Sequence, residues 1–131
     1  MKRIEVVAAI IIQNGKIFCT QRPNNGEVAL KWEFPGGKIE PGETCKQALL
    51  REIEEELETL ISVNEHFMTI EHQYKTFHLI MHCYKCTLVS DKIVLHEHVD
   101  SCWLPIEELH TLAWAPADLP IIKKLQEKSV L

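Results

Sequence analysis

The sequence predicts an α/β fold in which a sheet is covered by helices on both faces. The first observation is the run VVAAIII at residues 6–12, which is apolar at every position. A strand that is apolar on both sides has to be buried on both sides. The second observation is a pair of helix-like segments, at about 44–60 and 117–129, that can supply the two covering layers. We expect one domain over residues 1–131.

The strands are predicted from β-branched and aromatic runs that end at turn residues. The first two, at about 4–13 and 16–22, are joined by the hairpin-type turn Gln13-Asn14-Gly15-Lys16. Further strands are predicted at about 32–34, 61–73, 77–89 and 98–104, and a short turn of helix is predicted near 106–109.

The first helix has clear local signals. Thr44 is a predicted N-cap, and Gln47 three residues later completes a capping box. Residues 45–60 contain neither Pro nor Gly, so nothing interrupts the helix. At about 100° per residue, one arc of this helix is apolar and is predicted to face the core. That arc consists of Leu49, Leu50, Ile53, Leu57 and Leu60.

An acidic arc of Glu52, Glu55 and Glu56 borders this apolar stripe. An acidic run on a helix is most often a solvated surface. Here, however, no basic residue follows three or four positions later to relieve the repulsion, and the preceding turn at 36–38 can offer a backbone carbonyl. Hard divalent cations take such oxygen ligands, so the pattern predicts a Mg²⁺ site and phosphate chemistry. The residues predicted to face solvent are Arg51, Glu54 and Glu58.

The segment GGKIEPGETCKQALLREIEEE resembles the Nudix box, GX5EX7REUXEEXGU, in which U is aliphatic. The chain departs from this signature at Glu58, where the family has Gly, and at Thr59, where it has an aliphatic residue. Because Gly would end the helix with a positive φ, Glu58 predicts a helix that runs on or ends less abruptly. The positions in register are Gly37, Glu43, Arg51, Glu52, Ile53, Glu55 and Glu56.

The whole chain is similar to MutT-type nucleoside triphosphate pyrophosphohydrolases, which implies an α/β/α sandwich with a mixed sheet between helices. The segment APADLP at residues 115–120 resembles the branch of CTP or modified-pyrimidine pyrophosphohydrolases, and 8-oxo-dGTP diphosphatases belong to the same group.

The resemblance also implies roles for the site residues. Glu52 would be the catalytic base or a metal ligand, and Glu97, from a late loop, would be a further ligand and the second choice of base. Arg51 would orient the acids by ion pairing, and Glu43 would brace the loop before the helix. The implied ligands of Mg²⁺, or of Mn²⁺ as a substitute, are the carbonyl of Gly37 and the carboxylates of Glu52, Glu55, Glu56 and Glu97.

Four residues are candidates for binding the substrate. By resemblance, Arg22 would reach the nucleotide, Lys38 would lie near phosphates, and Phe34 would pack near the base. Alternatively, Arg22 is only a surface residue and Phe34 is only a core aromatic residue. Asp118 stands where the family carries a base-reading amide, and an ionised carboxylate only accepts hydrogen bonds, so it would select an amino group or a ring N–H. Alternatively, Asp118 only caps the last helix.

Composition limits the remaining possibilities. The net charge of −5 argues against a nucleic-acid duplex as the main partner. No apolar run of 18 residues and no signal-peptide cleavage site are found, so we expect a cytoplasmic protein without a membrane partner. The oligomeric state stays open.

Cysteines and histidines add weaker signals. Cys83 and Cys86 have CxxC spacing, but residues three apart on a strand point to opposite faces, so buried free thiols are expected. His96 and His98 flank Glu97. They either tune the late loop and contact phosphate or are partly exposed loop residues.

These features predict a Mg²⁺-dependent enzyme that sanitises the nucleotide pool. It would hydrolyse CTP-like, dCTP-like, oxidised or modified nucleoside triphosphates to a monophosphate and pyrophosphate. One alternative is another nucleoside diphosphate-linked substrate, such as a nucleotide sugar, a dinucleoside polyphosphate or capped RNA. A different alternative is a non-catalytic nucleotide sensor, which the intact REIEEE run disfavours.

Overall fold

A mixed sheet forms the centre of the computed structural model, which describes residues 2–128. The sheet contains seven strands within these residues. They are β1 (Lys2–Gln13), β2 (Lys16–Gln21), β3 (Trp32–Glu33), β4 (Gly36–Lys38), β5 (Ile61–Gln73), β6 (Phe77–Leu88) and β7 (Asp100–Pro105).

Strand β1 organises the sheet. It runs parallel to β6 from the Lys2–Phe77 pair to the Ile11–Cys86 pair, and antiparallel to β2 and β4. Strand β5 pairs antiparallel with β6, and β2 pairs antiparallel with both β3 and β7. The six predicted strands are present with ends shifted by at most two residues. The three-residue strand β4 was not predicted, because its sequence GGK carries no strand signal.

The helices lie on opposite faces of the sheet. Helix α1 (Cys45–Leu57) packs on Val7, Ala9 and Ile11 of β1, whereas α2 (Leu119–Lys128) belongs to the core on the side of Ala8 and Ile10. Alternate residues of β1 therefore point into two separate cores, which is why its sequence is apolar at every position. The predicted α/β sandwich is confirmed.

Helix α1 begins as predicted and ends earlier. Thr44 and Gln47 form both hydrogen bonds of the capping box, at 3.1 and 2.9 Å. The prediction for its end was wrong, because Glu58 adopts the left-handed conformation (φ 51°, ψ 42°) and stops the helix as a glycine would. Leu60 consequently lies beyond the helix and is 51% exposed, not part of the core stripe.

The C-terminal part is built around short 3-10 turns. Residues Ile106–Thr111 form the predicted helical turn, and a second 3-10 turn at Pro116–Asp118 leads directly into α2. The last predicted residue of this helix, Ser129, lies outside the described residues. Between residues 2 and 128, no helix is long and apolar enough to cross a membrane.

Two local predictions are confirmed. Asn14 and Gly15 both have positive φ, 52° and 75°, as a two-residue hairpin turn requires. Cys83 and Cys86 are buried free thiols that belong to the two different cores, so the strand does hold them on opposite faces.

Candidate active site

One cleft of about 590 Å³ runs between α1, strands β1 and β4, and the 3-10 turn before α2. Its size suits a small organic ligand. It collects every predicted site residue except Glu43, which lies behind the cleft wall. The predicted residues that line it are Arg22, Phe34, Gly37, Lys38, Arg51, Glu52, Glu55, Glu56, Glu97 and Asp118.

Arg51 holds one end of this cleft together. Its Nε and Nη2 atoms donate to both carboxylate oxygens of Glu43, at 2.7 and 2.8 Å, and Nη2 also donates to the Lys38 carbonyl at 2.9 Å. Its Nη1 atom donates to Glu52 at 2.8 Å and lies 3.4 Å from Glu55. Hydrogen bonding to Arg51 lowers the pKa of Glu43 to about 2. This guanidinium fixes the loop and two of the acids at once.

The position of Arg51 corrects two statements made from the sequence. The helical wheel put Arg51 on the solvent side, but its long side chain folds back along the helix and is only 24% exposed. From the sequence, only basic residues that follow the acids were considered as a means to relieve their repulsion. Arg51, however, lies four residues before Glu55 and pairs with it.

The two glycines of β4 allow the strand to approach its neighbours closely. A Cβ atom on Gly36 would overlap the carbonyl oxygen of Val7, and one on Gly37 would overlap the carboxylate of Glu52. The backbone of β4 can therefore lie against both β1 and the acidic arc, which places Gly37 directly beside Glu52.

Glu56 is the most perturbed acid of the cleft. Its residue is 7% exposed, and its Oε1 atom accepts a hydrogen bond from the backbone N–H of Gly36 at 3.1 Å. Burial, the neighbouring Glu97 and the charge of Glu33 together raise the pKa of Glu56 to about 10. Burial also raises the pKa of Glu52, against the opposing effect of Arg51. The negative charge of these acids therefore exceeds what the positive charge of Arg51 can neutralise.

The donor set suits a hard divalent cation. Carboxylates of Glu52, Glu55, Glu56 and Glu97 and the carbonyl of Gly37 supply only oxygen atoms. Within residues 2–128, however, no three His, Cys, Asp or Glu side chains are grouped as a ready-made metal site. Glu52 is turned to Arg51 and Glu56 to Gly36, so side-chain rotation has to accompany binding. Mg²⁺ is compatible with this, because it keeps several waters and substrate phosphates as ligands.

The late loop that carries Glu97 is anchored on both sides. The backbone N–H of His96 donates to the Glu56 carbonyl at 3.0 Å, and that of Val99 donates to the Gln21 carbonyl at 3.0 Å. The His98 ring lies 2.9 Å from Glu33 through Nε2. Glu97 is thereby held over the acidic arc, where it acts on both Glu52 and Glu56.

The two histidines of this loop have different environments. His98 has a side chain only 2% exposed, and its Nδ1 atom is buried with no hydrogen-bond partner. The expectation of a partly exposed loop histidine is therefore wrong for His98. It fits His96, whose side chain is 47% exposed and lies 3.2 Å from Glu58.

Glu33 was missed by the sequence reasoning. It lines the middle of the cleft, 3.4 Å from Arg22 and 2.9 Å from His98. Its charge raises the pKa of Glu56 at one end of the cleft and of Asp118 at the other. The only sequence signal was a lone acid between two aromatic residues, in WEF.

Asp118 forms the other end of the cleft. It is 4% exposed, and its Oδ2 atom accepts a hydrogen bond from the Phe34 N–H at 3.0 Å. Burial raises the pKa of Asp118 well above its usual range, and the charge of Glu33 adds to this. This burial disfavours the ionised, acceptor-only state that the sequence reasoning considered, and a protonated carboxyl would donate as well as accept.

Aromatic residues surround Asp118. Phe34 lines the cleft and is also a core residue, stacked on Trp114 with ring centroids 4.8 Å apart. The interpretation of Phe34 as a core residue is confirmed, and its contact with a nucleotide base stays a prediction. Tyr74, which the sequence did not single out, lines the same end, and its hydroxyl oxygen accepts a hydrogen bond from the Ala117 N–H at 3.0 Å.

Comparison with known proteins agrees with this geometry. A NUDIX domain profile matches residues 6–124. The chain belongs to the Nudix family. It is 39% identical over 123 residues to the CTP pyrophosphohydrolase of Escherichia coli K12, covering 94% of this chain and 91% of that protein. It is 32% identical over 127 residues to the 8-oxo-dGTP diphosphatase of the same organism, covering 96% and 98%.

Nudix proteins of known structure share the fold. The solution structure of the MutT protein of methicillin-resistant Staphylococcus aureus 252 has 45% sequence identity to this chain and a TM-score of 0.79, covering 98% of this chain and 99% of that one. The predicted Nudix family is confirmed, and with it a hydrolase that uses a divalent metal. The prediction of small nucleotide substrates agrees with the named activities of the relatives.

Proposed function

We propose that this Nudix domain hydrolyses nucleoside triphosphates with Mg²⁺, releasing a nucleoside monophosphate and pyrophosphate. The observation that carries the proposal is the division of one cleft into two ends. Four glutamates surround one end, and Asp118 with Phe34 and Tyr74 surrounds the other. A nucleotide has the matching division into charged phosphates and an aromatic base.

The acidic end would hold the metal. The ligands are the carboxylates of Glu55 and Glu56, the carbonyl of Gly37, and Glu52 and Glu97 as further ligands. The bound ion neutralises phosphate charge and lowers the pKa of water. Mn²⁺ is the expected substitute, because it accepts the same oxygen ligands.

The chain's own residues prepare the hydrolytic step. Glu52 is the first choice of general base and Glu97 the second. Burial makes the Glu52 carboxylate more basic, while its bond to Arg51 at 2.8 Å limits that effect and holds the side chain in place. Water loses its proton to this base and attacks a phosphorus atom of the triphosphate, and pyrophosphate leaves.

The other end would select the base. Asp118, with Oδ2 bonded to the Phe34 N–H, has its remaining oxygen for the nucleotide. In the protonated form it can donate to a carbonyl as well as accept from an amino group. Phe34 and Tyr74 offer apolar ring surface to the base. Arg22 and Lys38 would contact the sugar-phosphate part from the cleft rim.

The test is a pyrophosphate-release assay with Mg²⁺ on a panel of normal, 8-oxo and 5-methyl nucleoside triphosphates. We expect turnover with monophosphate as the second product and a difference in kcat/KM between bases. Release of phosphate alone, or turnover only of a nucleoside diphosphate-linked compound, would favour the alternative substrate class. Nucleotide binding without turnover would favour a sensor. A cytoplasmic location and the lack of a nucleic-acid duplex partner stay predictions from composition.

A further inference from the structure

Two cysteines far apart in the sequence are paired across neighbouring strands. Cys19 of β2 and Cys102 of β7 are direct partners in the antiparallel register. Directly opposed residues of antiparallel strands have Cα atoms about 4.5–5.5 Å apart. A disulfide needs about 4.4–6.8 Å between Cα atoms. The backbone positions therefore already satisfy the requirement for a bond between these two residues.

The side chains of the pair also meet. Both belong to the same apolar core, Cys19 as a fully buried member and Cys102 as a partly buried one. Cys102 is close enough to raise the pKa of Cys19, whose Sγ atom donates to the Ile17 carbonyl at 3.5 Å. Both are free thiols in this structure. The two sulfur atoms consequently share one pocket, with one of them reachable from solvent.

The CxxC motif lacks this arrangement. Cys83 and Cys86 lie on one strand, and they face the two different cores of the molecule. Their sulfur atoms cannot bond without breaking the strand. The pair with the redox-type spacing in the sequence is thus the wrong one, and the competent pair has no sequence motif.

The two partners differ in reactivity. Cys102 is the more exposed thiol, and hydrogen bonding to Cys19 opposes the rise that burial causes in the pKa of Cys102. Complete burial raises the pKa of Cys19 much further. Since the thiolate is the reacting form, Cys102 is the thiol that an oxidant reaches first.

We propose that Cys19 and Cys102 are a modification site that closes to a reversible intramolecular disulfide when a hydroperoxide oxidises the protein. The Cys102 thiolate attacks the peroxide, giving a sulfenic acid and releasing water or an alcohol. The Cys19 sulfur then attacks that sulfenic sulfur, and a second water leaves. Two thiols are oxidised and one peroxide is reduced, and a dithiol reverses the reaction.

The bond would tie two parts of the candidate active site together. Strand β2 leads into Arg22, and β7 follows the loop that carries Glu97. The bond closes a chain segment of about 80 residues, and long closed segments give the larger stabilisation in the chain-entropy description. We expect the oxidised protein to melt about 5 °C higher or more than the reduced one.

The test is thiol counting in denaturant after hydrogen peroxide treatment of the folded, fully reduced protein, with intact mass and peptide mapping. The wild-type count should fall from five to three, with a mass loss of about 2 Da and a cross-link between the peptides of Cys19 and Cys102. Dithiothreitol should restore all thiols and the lower Tm.

Two variants make the outcome specific. Cys102→Ser should keep its remaining thiols, and this partly exposed position avoids the folding risk of a change at buried Cys19. The matched control Cys86→Ala should lose two thiols as the wild type does. A Cys83–Cys86 cross-link, a cross-link only between chains, or the survival of both Cys19 and Cys102 as free thiols at peroxide levels that oxidise the partly buried Cys45 would overturn the proposal.

Discussion

The Oδ2 atom of Asp118 accepts a hydrogen bond from the backbone N–H of Phe34 at 3.0 Å, across a separation of 84 positions in the sequence. This bond joins the turn before α2 to the segment between β3 and β4. It fixes a buried carboxyl whose pKa is raised by burial and by the charge of Glu33. The same group therefore bears on the stability of the fold and, under the proposed function, on the recognition of the base.

Asp118 should make the protein less stable as pH rises. Because the pKa is raised in the folded state, the folded protein keeps a proton that the unfolded chain loses above about pH 4, so unfolding becomes easier with increasing pH. Asp118→Asn removes this titration and keeps the acceptor for Phe34. Between pH 5 and pH 8, we expect the Tm of the wild type to fall by about 2–5 °C more than the Tm of Asp118→Asn. The exposed Asp91→Asn should follow the wild type, and parallel curves for Asp118→Asn would contradict the assignment.

Asp118 should also determine base preference. Asn carries one donor and one acceptor, as a protonated carboxyl does, so Asp118→Asn should retain the ranking of bases in kcat/KM. Asp118→Ala loses both groups, and we expect the ratio between the best and worst base to shrink about 10-fold or more. The check is steady-state kinetics on the panel of triphosphates. An unchanged ratio in Asp118→Ala would remove this residue from base recognition.

Glu56 should be required for metal binding, and its carboxyl should destabilise the fold when no metal is bound. Glu56→Gln keeps an oxygen for the Gly36 N–H but removes the Glu56 carboxyl, which Glu97 crowds and whose pKa is raised to about 10. We expect a higher Tm in EDTA, loss of the Tm increase that Mg²⁺ gives the wild type, and at least about 100-fold lower turnover. Glu54→Gln, on the exposed side of the same helix, is the control and should behave as wild type in all three measurements.

Arg51 should act through its forked geometry as well as its charge. Arg51→Lys keeps the charge but cannot hold both oxygens of Glu43 together with Glu52. Groups that orient metal ligands typically contribute 10–100-fold, so we expect kcat/KM to fall by about that factor and the Mg²⁺ concentration for half-maximal activity to rise. Lys46→Arg, the reverse exchange at an exposed position of the same helix, is the control and should behave as wild type. Wild-type kinetics in Arg51→Lys would reduce the contribution of Arg51 to simple electrostatics.

Replacing Glu58 by glycine should give a more stable protein than replacing it by alanine. Both substitutions remove the ion pairs to Lys92 and His96, but only Gly adopts φ 51° without strain. We therefore expect Glu58→Gly to melt about 3 °C or more above Glu58→Ala. Thermal unfolding of the two variants side by side is the measurement. Equal Tm values would mean that the end of α1 relaxes to another conformation.

Local patterns predicted the parts of this protein that depend on neighbours in the sequence. Three such features involve only residues that are close together in the sequence. They are the capping box at Thr44, the hairpin turn at Asn14-Gly15 and the acidic arc of α1. The sequence was also sufficient to predict the two-sided burial of β1, since that follows from its composition alone.

Features that depend on distant contacts were missed or misjudged. Glu33 contacts Arg22, which follows β2, and His98 of the late loop, and both contacts join residues far apart in the sequence or outside its own strand. The raised pKa of Asp118 depends on complete burial, which no local pattern reveals. Glu58 takes a conformation against its intrinsic preference, and Leu60 becomes exposed as a result.

The tight approach of Gly36 to the Val7 carbonyl has a consequence for how such a cleft can diversify. At Gly36 the floor is main chain of β4 packed on main chain of β1, and a larger residue there would push the two strands apart. New ligand preferences are therefore easier to reach by exchanging wall residues such as Val28, Tyr74 and Ala117. A directed-evolution library aimed at altered selectivity should randomise those walls and leave the floor untouched.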